Sequence, residues 1–185
     1  MKKLMSAMVL LMIVCPPLAA RRHGPQTFTI QIPARPDFYG IEWLIGNWSG
    51  KTVGAKPAGT VRLSVSYALD RRIMILREHV SLPATKVAPA TSENLIGILS
   101  SNLSHGFDLD LYSSHGFVTR YLITVYDGEI RFNPEGGSLQ PAGWIFRRTI
   151  RHTNPGKCTE TVSVAPPGQP FFTYYTADLT QDPPQ

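Results

Sequence analysis

The chain has 185 residues, a formal net charge of +5, 43% hydrophobic residues and two cysteines. That length and composition suit one globular domain with enough interior to be stable unaided, and exclude a disordered chain or a disulfide scaffold. The basic excess is too slight to mark a nucleic-acid-binding surface.

Residues 1 to 20 have the layout of a secretory signal peptide: Lys2 and Lys3, an apolar run from Leu4 to Val14, the breakers Pro16 and Pro17, and the small pair Ala19 and Ala20. The run is too short to span a bilayer, and Val14 stands where a lipoprotein would need a small residue before Cys15. The expectation is an exported protein, periplasmic or secreted, with no membrane span and a mature start at about Arg21. Removing the leader takes away Lys2, Lys3 and Cys15, which leaves 16 basic against 13 acidic residues, a net +3. Cys158 is then the single cysteine, so no internal disulfide can form.

Residues 21 to 36 read as an extended lead-in, basic and proline-interrupted, around one alternating segment from Thr27 to Ile32. Pro36-Asp37-Phe38-Tyr39 then offers a proline stop and an aspartate cap, which predicts a short helix through about Ile45 lying across one end of the domain.

From Asn47 onward the chain alternates in short runs punctuated by turn residues, the spacing of an all-β barrel or sandwich. Strands are predicted near 47–53, 59–69, 72–82, 94–101, 106–113, 117–126, 129–134, 142–151, 157–164 and 170–179. The only long connection runs from Pro83 to Ser92, so sequential strands should be neighbours, and a meander of that many strands removes its edges most simply by closing. The predicted fold is all-β, an antiparallel up-and-down barrel of about ten strands over residues 37–181. A short N-terminal helix caps one end, and 182–185 form a tail.

Turn chemistry sets the register. Tyr126-Asp127-Gly128-Glu129 predicts a two-residue turn pairing Val125 with Ile130 and Ile123 with Phe132. A three-residue loop Ser114-His115-Gly116, with Gly116 left-handed, pairs Phe107 with Ile123 and Leu109 with Tyr121, and sets Asp110 against Arg120 outside. The hairpin around Asp70 and Arg71 pairs Tyr67 with Met74, Val65 with Leu76, Leu63 with Glu78 and Val61 with Val80. Centring the next hairpin on Asn154 pairs Ile150 with Cys158, Arg148 with Glu160, Phe146 with Val162 and Trp144 with Val164.

Glu78, Arg148 and Glu160 thereby fall on otherwise apolar inward rows, where a charge is costly unless paired. The plainest expectation is an Arg148–Glu160 ion pair at the barrel rim, with Glu78 reaching water from a strand end. The functional alternative makes these three the polar anchors of an interior site, with Tyr121 and Trp144 as walls and Tyr67, Leu76, Phe146 and Phe171 near them.

Trp43-Leu44-Ile45-Gly46-Asn47-Trp48-Ser49-Gly50, followed by about ten short strands, resembles the opening of the lipocalin-like calycin barrels, and within them the nitrobindin-like and related bacterial families. The resemblance gives Gly46, Trp48 and Gly50 a structural role, with Trp48 packed at the closed end against an arginine from a late strand, Arg147 or Arg148. Haem-binding members use a histidine on a strand near the C-terminus. Here Phe171-Phe172-Thr173-Tyr174-Tyr175-Thr176 contains none, so no haem or other cofactor is expected, with Tyr174 or Tyr175 the remaining candidates for an iron ligand.

No nucleophile elbow, metalloprotease helix, paired Cys-x-x-Cys or phosphate loop is present in the sequence. Asp108 and Asp110 share a face, but the register turns it outward. The reading that results is an exported barrel binding a small, mostly apolar molecule, with no nucleic-acid partner. Two alternatives stand beside it: a barrel enzyme of isomerase or cyclase type using an interior carboxylate such as Glu78, and an envelope interaction protein whose barrel is filled by its own side chains.

Overall fold

A computed structural model of the chain describes residues 30–54, 57–86, 88–102, 106–135 and 143–183. The expected signal peptide and most of the lead-in, Thr27 included, lie outside the described residues, and 30–36 form no strand. Met1–Pro33 and Ala34–Gln185 are separate units, and every strand of the described residues belongs to the second.

Among the described residues, ten antiparallel strands make a single closed sheet: β1 (Gly46–Thr52), β2 (Thr60–Ala68), β3 (Ile73–Leu82), β4 (Thr91–Asn102), β5 (Gly106–Ser113), β6 (Val118–Tyr126), β7 (Glu129–Pro134), β8 (Ile145–Asn154), β9 (Lys157–Ala165) and β10 (Phe172–Gln181). Each pairs with the strand before it, and β1 pairs with β10 to close the ring. The period of two in the sequence produces this directly. Val61, Leu63 and Val65 on β2, and Leu109 and Leu111 on β5, point into one core while their neighbours face water. No helix of the described residues is long and apolar enough to cross a membrane.

Three predicted hairpins form in the predicted register. Val125 faces Ile130, Leu109 faces Tyr121, and Leu63 faces Glu78. Gly116 has the left-handed φ of +83° that its loop requires, and Arg120 Nε donates to Asp110 Oδ1 at 2.8 Å outside the barrel.

The β8–β9 hairpin differs. Pro155-Gly156 makes a two-residue turn, with Gly156 at φ +69°, closing Asn154 on Lys157, and a bulge lies between His152 and Asn154. Arg148 therefore faces Val162 instead of Glu160, Ile150 faces Glu160, and Phe146 faces Val164. The slip is two residues, so every side chain keeps its predicted face, but Trp144 falls just before β8 and stands at the barrel's rim.

The predicted N-terminal helix does not form. In its place is a 3-10 turn, Glu42–Leu44. Asp37 caps no helix: its Oδ1 accepts from the Tyr39 amide at 2.9 Å, a local side-chain turn, and Gly40 follows at φ +86°, outside helical geometry. The segment still packs the closed end, because Phe38, Ile41 and Leu44 are buried and Phe38 stacks on Phe107 with ring centroids 5.4 Å apart.

Candidate functional site

The opening motif closes the barrel. Trp48 is 2% exposed, its indole Nε1 donates to Leu44 O at 2.8 Å, and Trp43 meets it edge-on at 6.1 Å. Gly50 has a steric reason to be glycine, because a Cβ there would run into the backbone carbonyl of Asp178 across the β1–β10 seam. At Gly46 a Cβ would meet Gln181 Nε2 at 2.7 Å, and its φ of +131° is one that side-chain-bearing residues rarely adopt. Of the two arginines expected beside Trp48, Arg147 lies over the Phe171 ring at 4.2 Å, and Arg148 is buried inside the barrel.

Arg148, Glu78 and Glu160 come together in the interior. Arg148 Nη1 is ion-paired with Glu78 and lies 2.9 Å from Glu160 Oε1, and both carboxylate side chains are wholly buried. The rim pair and the water-reaching Glu78 of the plainest sequence reading are both replaced by this buried cluster. In the ring of ten strands, β3 and β8 are five steps apart in either direction, so the Glu78–Arg148 pair spans the barrel's diameter. Tyr175 completes the cluster by donating its hydroxyl to Glu78 Oε1 at 3.0 Å. Glu160 is the least well served: it is near Arg148, yet neither of its oxygens has a hydrogen-bond partner among the described residues.

The electrostatics follow from that burial. Burial and the charge of Glu78 push the Glu160 carboxyl up to about 8, with Arg148 opposing, so Glu160 is largely protonated at neutral pH. Burial alone would lower the Arg148 guanidinium, but Glu78 and Glu160 hold it well above its ordinary value. Burial, then Glu160 and Glu78, raises the Tyr175 phenol well above its own. The thiol of the free, buried Cys158 is pushed up to about 12, first by burial and then by Glu160, which makes it unreactive.

Above this cluster the described residues leave the barrel open. A cavity of about 70 Å³ is lined by Arg148, Tyr121, Thr119 and Val162. A chamber of about 530 Å³ at the mouth is lined by Trp144, Phe146, Phe117, Phe172 and Val164. Glu93, Phe117, Phe146, Tyr174 and Tyr175 line both, so the small cavity is the floor of the larger chamber. Glu93 accepts from Ser113 Oγ and lies 3.5 Å from His115 Nδ1. Tyr121, edge-on to Phe132 at 6.0 Å, has its phenol raised by burial.

Of the predicted site residues, Arg148 and Tyr121 reach the floor and Trp144 reaches the mouth, whereas Glu78 and Glu160 stand behind Arg148 and line neither cavity. Phe171 lies at the rim under Arg147, and Tyr67 belongs to the closed end, where its hydroxyl donates to Glu42. A larger groove, about 710 Å³, runs along β1 to β4 past Arg62, Arg77 and His79, and Glu78 also contributes to its lining.

Glu93 and Phe117 were missed as site residues, and Tyr174 and Tyr175 stood only as candidates for an iron ligand. For Tyr175 the reason is a bulge between Thr173 and Tyr175, which pairs Tyr175 with Val162 and turns it inward. The signal was available: Tyr175, Ala177 and Leu179 alternate as one buried row, and counting back from Leu179 finds the tyrosine.

These features define a closed antiparallel barrel with a packed end, a charged partition and an open aromatic mouth. The chain is similar in structure to the crystal structure of Rv2717c from M. tuberculosis, with a TM-score of 0.55 and 15% sequence identity over 77% of this chain and 94% of that one, a likeness of fold alone. No protein-family model matches the chain, and no curated protein matches it.

Proposed function

We propose that the protein is an exported barrel that holds a small, mostly apolar ligand in the mouth chamber, its polar end directed to Arg148 and Tyr121 on the floor. The observation that carries this reading is the continuity of an aromatic chamber of about 530 Å³ with a floor bearing a buried guanidinium, the combination of apolar bulk and few polar anchors that ligand sites share. The layout of residues 1–20 supports export, and the Gly46-x-Trp48-x-Gly50 opening supports a place among the lipocalin-like, nitrobindin-like barrels. The enzyme alternative is weaker because Glu78 is engaged by both Arg148 and Tyr175 and lines neither interior cavity. A wholly filled barrel is disfavoured by the chamber itself.

The test is a fluorescence titration with Nile red, an uncharged apolar dye. Saturable one-to-one binding that is lost in Val164→Trp, which fills the chamber from its wall, supports the reading. Equal binding in that variant places the dye elsewhere and removes the support.

A further inference from the structure

The charges around the chamber restrict what its ligand can be. The partition contains one guanidinium, Arg148 on β8, facing two carboxyl groups, Glu78 on β3 and Glu160 on β9, with the Tyr175 hydroxyl of β10 bonded to Glu78. The single guanidinium is therefore already outnumbered by the acid groups that face it. Arg148 Nη1 is already engaged with the acids, yet the same side chain also lines the small cavity beside Tyr121 of β6. Besides the tyrosines, the other ionisable side chains on the chamber wall among the described residues are Glu93 of β4 and His115, 3.5 Å from it, and Glu93 borders the floor as well.

A ligand carboxylate docked on that floor would add a negative charge, out of water, to a guanidinium already matched by acids, and would do so beside Glu93. A ligand ammonium would meet the guanidinium itself. A carbonyl oxygen meets neither penalty: it accepts hydrogen bonds from a charged donor while adding no charge. The floor cavity, about 70 Å³, has room for such a group or about two waters, each with a share of roughly 30 Å³.

We propose that the barrel selects an uncharged apolar molecule with a hydrogen-bond-accepting head, a ketone, ester or amide carbonyl, over the corresponding carboxylate. The proposal rests on the binding function above and adds the class of ligand.

Isothermal titration calorimetry of the full chain with methyl decanoate, decanoate and decyltrimethylammonium separates the two. The ester should bind at least about tenfold more tightly than either charged compound at neutral pH. The double variant Glu78→Gln/Glu160→Gln, which leaves the Arg148 charge unmatched, should bring decanoate level with the ester or ahead of it, and a circular dichroism melt establishes that this variant folds. Glu93→Gln removes a charge from the wall without touching the buried cluster, so it should narrow the same gap and carries the test if the double variant does not fold. A wild-type barrel that takes decanoate or the ammonium as tightly as the ester overturns the proposal, as does a ratio unmoved in the folded variants. If none of the three binds, the binding function falls, and the ligand class with it.

Discussion

Arg148 Nη1 lies 2.9 Å from Glu160 Oε1 although the residue directly across from Arg148 is Val162, so the pair spans β8 and β9 on the diagonal. The same nitrogen holds Glu78 from the far wall, and the three side chains form a polar partition between the packed end and the mouth. A buried pair is weak support for stability in itself, since desolvation offsets its attraction, but removing one partner strands the other.

Arg148→Met should accordingly destabilise the barrel by about 3–5 kcal/mol, because it leaves two carboxyl groups buried without a cation. Glu160→Gln should cost much less, since the side chain it replaces is largely uncharged at neutral pH. Denaturant melts of the two variants decide this. A loss under about 1 kcal/mol for Arg148→Met, the scale of an exposed pair, would contradict the burial described.

Glu160 also gives stability a pH dependence of unusual sign. Its carboxyl is raised from 4.5 to about 8 in the folded state, so between those values the native protein binds a proton that the unfolded chain does not. Stability is then fully present below about 4.5 and is lost as pH rises towards 8, with a slope of at most about 1.4 kcal/mol per pH unit from this group. Urea melts from pH 5 to 8 should show wild type weakening with pH and Glu160→Gln weakening less. Parallel curves for the two proteins would remove Glu160 as the cause.

At the closed end, Trp48→Ala should cost about 3–5 kcal/mol, the scale for deleting a buried large aromatic side chain. Trp48→Phe should recover most of the packing but lose the bond to Leu44 O, worth about 1 kcal/mol. If both variants melt with wild type, Trp48 is not the plug that its burial indicates.

Gly50→Ala tests the seam. Its new methyl would collide with the Asp178 carbonyl, which is backbone and cannot swing aside, so a loss of about 1–3 kcal/mol is expected from overpacking. Ser49→Ala next to it, where the hydroxyl bonds the exposed Asp182, should stay within about 0.5 kcal/mol. Equal effects at the two positions would mean that the seam tolerates a side chain.

The fold was legible in the sequence because turn residues and a period of two constrain each other: Asp127-Gly128 and Gly116 fixed their hairpins, and the faces then agreed. The inward placement of Glu78, Arg148 and Glu160 followed from the same counting and survived the error at Asn154, since a slip of two residues preserves the face. Their depth was not legible. Which charges meet across the barrel depends on its closure and on the opposition of β3 to β8, and no local pattern carries that. Bulges caused the other misses. The extra residue before Tyr175 reverses the alternation of β10, and the one after His152 hides a Pro155-Gly156 turn behind a longer polar stretch. The helix was over-read because Asp37 and the apolar spacing imitate an N-terminus, while Gly40 interrupts it after too few residues for a helical turn to propagate.

Native mass spectrometry of the protein purified from its own host tests the central claim most directly. A folded barrel carrying one small molecule in a one-to-one complex, with the chain beginning at about Arg21, is the result expected. A folded protein at its bare polypeptide mass, from preparation after preparation, would contradict the claim that the mouth chamber holds a ligand.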